Sequence, residues 1–340
     1  MGSWSMADRP KALFAMRAQY VSQLFPAPLM SRLEKLVDID TSLVAQRFDQ
    51  PEIAQALAQA EILITGWGSP GLDDAVLAAA PRLRAVVHAA GSVRHLVGDA
   101  CWERGLLVSS AAQANALPVA EYTVAAVLMA GKGVFEARER YRADPAYRRP
   151  EDDPAVGNYG RRVGLIGASR VGRRVLELLR PYDLTLTLAD PYLDAAEARR
   201  LGAELLPLDE LLRTSTIISV HAPDIPQTRG LLNRRRLALI PDGSVLINTA
   251  RGALVDHDAL IAELVDGRIS AVLDVTDPEP PPADSPLFRL SNVFLTPHIA
   301  GSMGNELERL GRSAVEELER LTDGRPLVHQ VNQTDLDRVA

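Results

Sequence analysis

The 340-residue chain has a single cysteine, Cys101, and aromatic residues make up only 5% of it. One cysteine cannot form an intrachain disulfide, so the sequence fits a reducing compartment and predicts a cytoplasmic protein. The 37 lysines and arginines are outnumbered by 44 aspartates and glutamates, which gives a formal net charge of -7. Nucleic acids and anionic membranes bind to clusters of basic side chains, so we expect neither as a partner of this acidic chain. A small molecule is the expected partner.

Long apolar runs are also scarce, and we predict that none is long enough to span a bilayer. The first residues, MGSWSM, lack the basic segment and long apolar stretch of a secretory signal. Residues 1–5 are compatible with an expression scar before a native Met6. Hydrophobic residues make up 47% of the chain and charged residues 24%, as in soluble globular proteins. At this length two domains are expected rather than one.

Short apolar runs alternate with helix-like segments, the pattern of parallel sheets flanked by helices. The strands predicted in the first half are Lys11–Met16, Glu61–Gly66, Arg84–Ala89 and Leu106–Ser110, with helices near Ser31–Val37 and Leu72–Ala80. A second series begins at RRVGLIG and continues through LTLTLAD, TIISVHAP, SVLINTA, AVLDVTD and NVFLTPHIAG. The last segment, NELERLGRSAVEELERL, predicts an amphipathic helix.

The segment between the two series, ALPVAEYTVAAVLMAGKGVFEARERYR, predicts one long helix with Pro118 near its first turn. Its apolar residues are so dense that we expect it to be buried between domains or subunits. The following RADPAYRRPEDDPAVGNYG is rich in proline and charge, and it predicts a surface loop.

The stretch VGLIGASRVGRRV, Val163–Val175, nearly matches the fingerprint G-x-G-x-x-G, with Ser169 at the middle position between Gly167 and Gly172. Alone, it also fits a tight turn in any α/β protein. A strand before it, a helix after it and a second strand ending in Asp190 favour a dinucleotide site. Serine is small and can donate to a phosphate oxygen, so we predict that the cofactor still binds. The Asp190 carboxylate would repel a 2′-phosphate, which predicts NAD rather than NADP.

Four further stretches are ISVHAPDIPQTRGLLN, SVLINTARGALVDHDAL, AVLDVTDPEPP and NVFLTPHIAGS. In order and spacing they resemble the D-isomer-specific 2-hydroxyacid dehydrogenases, strongly from Val163 to Ser302 and more weakly through RLRAVVHAAGS and ANALPVAEYTVAAVLMA. The resemblance implies an α/β fold of two Rossmann-like domains with parallel sheets, the NAD-binding domain being inserted into a flavodoxin-like substrate domain. Residues 1–112 and 300–340 are expected to form the substrate domain, and 113–299 the NAD-binding domain. A homodimer is also implied, since it would bury the apolar helix from Ala116 to Ala130.

Reduction of a 2-oxo acid leaves negative charge on the former carbonyl oxygen, so the reaction needs a proton donor and a cation. The resemblance implies that His298, in TPH, is the general acid and base and that Glu279 is its partner. It implies that Arg251, in NTARG, holds the carboxylate and polarises the carbonyl. Asp277 is a competing partner for His298, and Asp256 is an alternative partner for Arg251.

The resemblance also implies the surroundings of cofactor and substrate. The predicted cofactor-binding residues are Gly167, Ser169, Arg170, Val171, Gly172, Asp190, His221, Ala222, Pro223, Thr228, Thr249, Ala250, Asp274 and His298. The predicted substrate residues are Trp67, Ala90, Gly91, Ser92 and Arg251. Trp67 is either an apolar wall for the substrate side chain or a packing contact. The other histidines lack metal-ligand spacing, so no metal is expected.

Three functions fit these observations. The leading one is an NAD-dependent dehydrogenase that interconverts a 2-oxo acid and an (R)-2-hydroxy acid. The second is a cofactor-sensing regulator on the same scaffold, as in the corepressor branch of the family. The third is a related enzyme for formate or phosphite, but TGWGSP and HAAGS lack the asparagine and glutamine of formate enzymes. Which 2-oxo acid is the substrate stays open.

Overall fold

The computed structural model describes residues 9–153 and 155–336; the N-terminal MGSWSM lies outside them. The strands are β1 (Ala12–Ala15), β2 (Val44–Ala45), β3 (Ile62–Thr65), β4 (Ala85–His88), β5 (Leu107–Ser110), β6 (Arg161–Ile166), β7 (Leu184–Ala189), β8 (Glu204–Leu205), β9 (Ile217–Val220), β10 (Val245–Asn248), β11 (Ser270–Leu273) and β12 (Val293–Leu295). The helices are α1 (Val21–Leu24), α2 (Ala27–Leu36), α3 (Pro51–Gln59), α4 (Asp74–Ala79), α5 (Asp99–Glu103), α6 (Ala112–Gly131), α7 (Val134–Ala143), α8 (Arg170–Leu179), α9 (Ala195–Arg200), α10 (Leu208–Thr214), α11 (Arg234–Leu237), α12 (His257–Val265), α13 (Leu307–Thr322) and α14 (Gln333–Leu336).

The chain divides into two compact units, and the first contains the residues up to Ala116 and those from Ser302. Its five parallel strands have the order β2-β1-β3-β4-β5, as in flavodoxin-like sheets. Strand residues alternate between two buried faces: Phe14 and Ile64 lie in one apolar cluster, and Leu13 and Leu63 in the other. Burial on both faces explains why these strands are continuous apolar runs in the sequence.

The second unit, Leu117–Gly301, has a seven-stranded parallel sheet with the order β12-β11-β10-β9-β6-β7-β8. This is the doubly wound order of dinucleotide-binding folds, in which the strand order reverses between β6 and β9. The chain passes from the first unit to the second after Ala116 and returns at Ser302, a few residues beyond the predicted boundaries at 112 and 300. Beside them, Asn115 Oδ1 accepts a hydrogen bond from the backbone N–H of Ser302 at 3.0 Å.

The predicted strands and the amphipathic C-terminal helix are confirmed, but the single long helix is wrong. It starts at Ala112, so Pro118 lies in its interior and not in its first turn. It ends at Gly131, and α7 begins only after Gly133, whose φ of +60° is left-handed. Glycine adopts this conformation at little cost, and the helix therefore breaks there.

Helix α6 is also long and apolar enough to cross a bilayer, so the prediction that no run has this length is wrong. Of its apolar window, 56% is buried in the fold. Ala120 and Val127 pack against Leu165 and Val175 in one core cluster of the second unit. Its apolar composition is that of a core helix, and most of it is buried without a second subunit.

Candidate active site

In the turn after β6, the backbones of Gly167 and Gly172 lie so close to other backbone atoms that neither residue could carry a side chain. Gly167 has φ +97°, and a Cβ there would lie 2.7 Å from the backbone N of Ala222. A Cβ on Gly172 would lie 2.2 Å from the carbonyl oxygen of Gly167. Ser169 is the N-cap of α8, and its hydroxyl accepts the Gly172 N–H at 3.3 Å. The serine therefore shapes the turn and keeps its own O–H as a donor.

The Asp190 carboxylate is held against the same turn. Its Oδ2 accepts the Ala168 N–H at 2.7 Å, and its Oδ1 accepts the Tyr192 N–H at 2.8 Å. Each carboxylate oxygen has a second acceptor position, which suits a ribose hydroxyl. Arg170 and Val171 open α8, whose first N–H groups have no acceptor within the helix and favour negative charge.

His221 follows β9 and is 3% exposed beneath the turn. Its Nε2 lies 2.9 Å from Ser219 Oγ, and its Nδ1 is buried with no hydrogen-bond partner among the described residues. Burial lowers the pKa of His221 to about 3, so the ring is neutral at physiological pH. In the loop that follows, Thr228 donates to the carbonyl of Pro223 and accepts the N–H of Ile225, which closes a local turn.

The end of β10 positions Arg251. Asn248 is fully buried, and its side chain accepts the Ala250 N–H at 3.0 Å and donates to the Arg251 carbonyl at 2.9 Å. Thr249 lies 2.9 Å from Thr123 Oγ1 on α6. Within residues 9–153 and 155–336, the Arg251 guanidinium hydrogen-bonds only the Ala250 carbonyl, at 2.6 Å.

Asp256 does not pair with Arg251 in this part of the chain. Its carboxylate caps α12 by accepting the Ala259 N–H at 3.0 Å. The alternative of an Arg251–Asp256 pair is therefore wrong.

His298 and Glu279 meet although they are 19 residues apart in sequence. His298 Nδ1 lies 2.6 Å from Glu279 Oε1, and both side chains are nearly half-exposed. His298 is the only non-glycine residue with positive φ, +55°, in the described part of the chain. This conformation is costly for a histidine, so the surrounding contacts must hold it.

Asp277, the competing partner, acts elsewhere. Burial lowers the pKa of His257, while the Val255 carbonyl and the negative charge of Asp277 oppose that shift. No hydrogen bond joins Asp277 to His298 in the described residues, so the geometry favours Glu279.

Asp274 follows β11 and is 2% exposed. Both of its oxygens accept hydrogen bonds from the loop that contains His298, and one comes from the Thr296 hydroxyl at 2.6 Å. Thr296 in turn bonds the Tyr122 hydroxyl at 2.8 Å. Sequence reasoning missed Tyr122 and Thr296, since neither stands in a motif position that marks a role.

The predicted substrate loops of the first unit follow β3 and β4. Trp67 is half-buried, and its ring centre lies 5.3 Å from that of Tyr20, which is a packing contact within the first unit. Its role as an apolar wall for the substrate stays a prediction. Ser92 Oγ accepts the Arg94 N–H at 3.4 Å. Ala90 is buried, and a Cβ on Gly91 would lie 3.5 Å from the side-chain amide of Asn115. Sequence reasoning also missed Asn115.

A cavity of 880 Å³ lies beside Glu279 and His298 in the second unit. Its walls include Phe288, Phe294 and Leu295, and α7 contributes the charged side chains Arg138, Glu139 and Arg142. No signal in the sequence pointed to it, because its walls come from segments far apart in the chain. Within the described residues, no three His, Cys, Asp or Glu side chains form a group that could hold a metal.

The residues of the second unit fit a dinucleotide. Gly167, His221, Thr249 and Asp274 follow four adjacent strands, β6, β9, β10 and β11, at the edge where such sheets bind nucleotides. The two glycines leave no room for a Cβ, the first turn of α8 suits a pyrophosphate, and the orphaned Nδ1 of His221 lies beneath. These features define a doubly wound nucleotide-binding unit carrying a Glu–His pair.

Comparison with known proteins agrees with this class. Residues 124–300 match the family described as D-isomer specific 2-hydroxyacid dehydrogenase, NAD binding domain. D-3-phosphoglycerate dehydrogenase from Mycobacterium bovis is 34% identical over 285 residues, 84% of this chain and 53% of that protein. Glyoxylate/hydroxypyruvate reductase B from Yersinia enterocolitica is 33% identical over 298 residues, 86% of this chain and 90% of that protein. The chain spans about half the length of the phosphoglycerate dehydrogenases it matches.

Among solved structures, D-lactate dehydrogenase from Aquifex aeolicus, complexed with NAD and lactic acid, has a TM-score of 0.71 and 26% identity. The match covers 92% of this chain and 96% of that one. The chain belongs to the D-isomer specific 2-hydroxyacid dehydrogenase family, and its cofactor is NAD.

Proposed function

We propose that the protein is an NAD-dependent oxidoreductase that interconverts a 2-oxo acid and an (R)-2-hydroxy acid. The observation that carries this proposal is the 2.6 Å contact between His298 Nδ1 and Glu279 Oε1, with the imidazole still half-exposed. A carboxylate that engages one ring nitrogen fixes the tautomer and leaves the other nitrogen to exchange a proton.

The bound cofactor supplies or accepts the hydride at C2 of the substrate. In reduction, His298 Nε2 donates a proton to the carbonyl oxygen, and Glu279 stabilises the imidazolium before the transfer. In oxidation, neutral Nε2 accepts the hydroxyl proton. Arg251 binds the substrate carboxylate and polarises the carbonyl, since its planar guanidinium offers parallel donors. Trp67, Ala90, Gly91 and Ser92 remain the proposed substrate residues of the first unit.

The experiment is a panel of 2-oxo acids with NADH, followed by loss of absorbance of the reduced cofactor. The panel contains glyoxylate, hydroxypyruvate, and longer-chain and aryl 2-oxo acids; the apolar walls of the cavity beside His298 support the larger ones. We expect turnover with at least one. His298→Asn should lower that turnover by about 10²- to 10⁴-fold and leave NADH binding intact.

His329→Asn is the matched control, because His329 lies in the first unit and its backbone, which the substitution leaves in place, makes its hydrogen bonds to Glu317 and Ser110. Cofactor binding without turnover on the whole panel would favour the regulatory function. Near-wild-type turnover of His298→Asn would refute the role of His298.

Further proposals concern the cellular location of the enzyme, its oligomeric state and its partners. We propose a cytoplasmic homodimer with no nucleic-acid or membrane partner, in agreement with the net charge of -7. The lone Cys101 is buried, and burial raises the pKa of its thiol, which keeps it unreactive.

A further inference from the structure

The left-handed backbone of His298 is held by one buried carboxylate. Asp274 Oδ1 accepts the Ile299 N–H at 2.8 Å, and Oδ2 accepts the Ala300 N–H at 2.9 Å. The His298 N–H donates to the Asp274 backbone carbonyl at 2.8 Å. The Thr296 hydroxyl donates to Asp274 Oδ1 at 2.6 Å. Asp274 thus contacts the loop on both sides of His298.

Tyr122 extends this network from α6. Its hydroxyl lies 2.8 Å from Thr296 Oγ1, although 174 residues separate the two in sequence. A hydroxyl has one hydrogen, and Thr296 gives its hydrogen to the carboxylate of Asp274. Tyr122 must therefore be the donor to Thr296.

The ionisation of Tyr122 agrees with this direction. Burial raises the pKa of the Tyr122 phenol, the hydrogen bond to Thr296 opposes the shift, and the negative charge of Asp274 adds to it. The phenol stays protonated and keeps its hydrogen to donate. In a chain of hydrogen bonds each donor strengthens the next, so Tyr122 makes Thr296 a better donor to Asp274.

We propose that Tyr122 is a positioning residue for the reaction, which holds His298 in register with Glu279 through Thr296 and Asp274. The proposal rests on the proposed function, in which His298 exchanges the proton. It also gives Asp274 a task beyond the predicted nicotinamide contact, since its oxygens already accept three hydrogen bonds from this loop.

The variant Tyr122→Phe leaves every charge near His298 unchanged. The charged side chains around the cavity beside His298 are Arg138, Glu139, Arg142, Asp274, Glu279 and Arg289. Tyr122→Phe removes a hydroxyl and no charge, so it leaves all of these in place. An effect on catalysis would then come from the geometry of the loop.

The test compares Tyr122→Phe, Thr296→Val and Thr296→Ser with the wild type. We expect Tyr122→Phe to lower kcat about 10-fold and Thr296→Val about 100-fold, as small displacements of a reacting group do. Thr296→Ser retains the hydroxyl and should recover most of the lost rate. The dissociation constant for NADH should change by less than about twofold, and the isotope effect with deuterated NADH should rise because the chemical step becomes limiting.

The matched control is Thr187→Val, which removes a buried hydroxyl from β7 of the same unit. A second readout needs no turnover: amide hydrogen exchange of residues 296–300 should be faster in Tyr122→Phe and Thr296→Val, and unchanged in Thr187→Val. Wild-type protein without turnover would overturn the proposed function, and the exchange data would still decide the positioning role. Unchanged kcat and unchanged exchange in Tyr122→Phe would overturn the positioning role, as would an equal loss in Thr187→Val.

Discussion

At the scale of the residue, we expect Asp190 and Ser169 to decide which dinucleotide binds at the turn after β6. The Asp190 carboxylate is fixed by two backbone N–H groups, and so it cannot swing away from a ligand without breaking them. Ser169 caps α8 and keeps its O–H hydrogen. Both observations agree with a site for NAD.

We therefore expect NADH to bind more tightly than NADPH, because a carboxylate would face the 2′-phosphate. Asp190→Ala should narrow the difference, and Ser169→Gly should keep or modestly tighten NADH binding. Fluorescence titration of both cofactors against the three proteins measures this. NADH binding that appears only in Ser169→Gly would mean that the serine closes the phosphate site.

A second residue-scale prediction concerns His88, which is 1% exposed and bonded through Nδ1 to Thr65 Oγ1 at 2.8 Å. Burial lowers the pKa of His88 to about 3, and the nearby His95 makes a smaller contribution in the same direction. Above pH 6.5 the ring is neutral in both the folded and unfolded states. Between pH 6.5 and about 3, only the unfolded chain binds a proton at His88. The free energy of unfolding therefore decreases as the pH is lowered through this range.

From pH 7 to 5 this uptake should cost about 2 kcal/mol of the free energy of unfolding. His88→Gln cannot take up the proton and should lose correspondingly less over that range. Urea unfolding of both proteins at several pH values gives the comparison. Parallel curves would show that His88 is protonated in the folded protein.

At the scale of the element, the contact between α8 and β6 depends on Gly172. A Cβ there would meet the Gly167 carbonyl oxygen at 2.2 Å, so the helix must move. Gly172→Ala should lower the free energy of unfolding by about 1–3 kcal/mol, as overpacking does. It should also weaken NADH binding at least about tenfold, because the N–H groups of the first turn shift with the helix.

The control is Gly98→Ala, since Gly98 has φ -103° and a Cβ there would meet nothing within 4 Å. Because Gly98 is the N-cap of α5, where glycine is preferred to alanine, that variant should lose at most about 1 kcal/mol and should keep wild-type NADH binding. Thermal melts with and without NADH test both. Equal behaviour of the two variants would contradict the close approach of α8 to β6.

At the scale of the whole molecule, the remaining question is association. Glu121, Ala125 and Met129 are exposed at intervals of four along α6, and Met129 is 40% exposed. Residues at this spacing lie on one face of a helix. More than half of the apolar window of α6 is buried within the chain, and this stripe is an exposed face that a partner could cover.

We expect a homodimer, which light scattering would show as twice the chain mass of 36.9 kDa. If the stripe lies in the dimer interface, Met129→Glu should shift the protein towards monomer, because dimer formation would then bury the unpaired glutamate charge. Val265→Glu, at another exposed apolar residue, should not. A monomer at micromolar concentration would refute the homodimer.

Much of the fold could be predicted because its strands are local patterns. The runs around Ile62, Ala85 and Val163 are continuous and apolar, since both faces of each sheet are covered. The two-residue strands β2 and β8 have too few residues to show a pattern, and they were missed. The break at Gly133 was missed because a glycine within a helical pattern is often tolerated.

The sequence by itself determined the class of protein. Its evidence is the glycine turn, the acid after the next strand and the order of motifs through His298, and each of these is a local pattern that can be recognised without a structure. The tertiary structure alone decided which groups meet. Glu279 rather than Asp277 reaches His298, and Tyr122 reaches Thr296 across 174 residues. Contacts between distant segments depend on how strands and helices pack, and no period or motif in the chain encodes a distance of 2.6 or 2.8 Å.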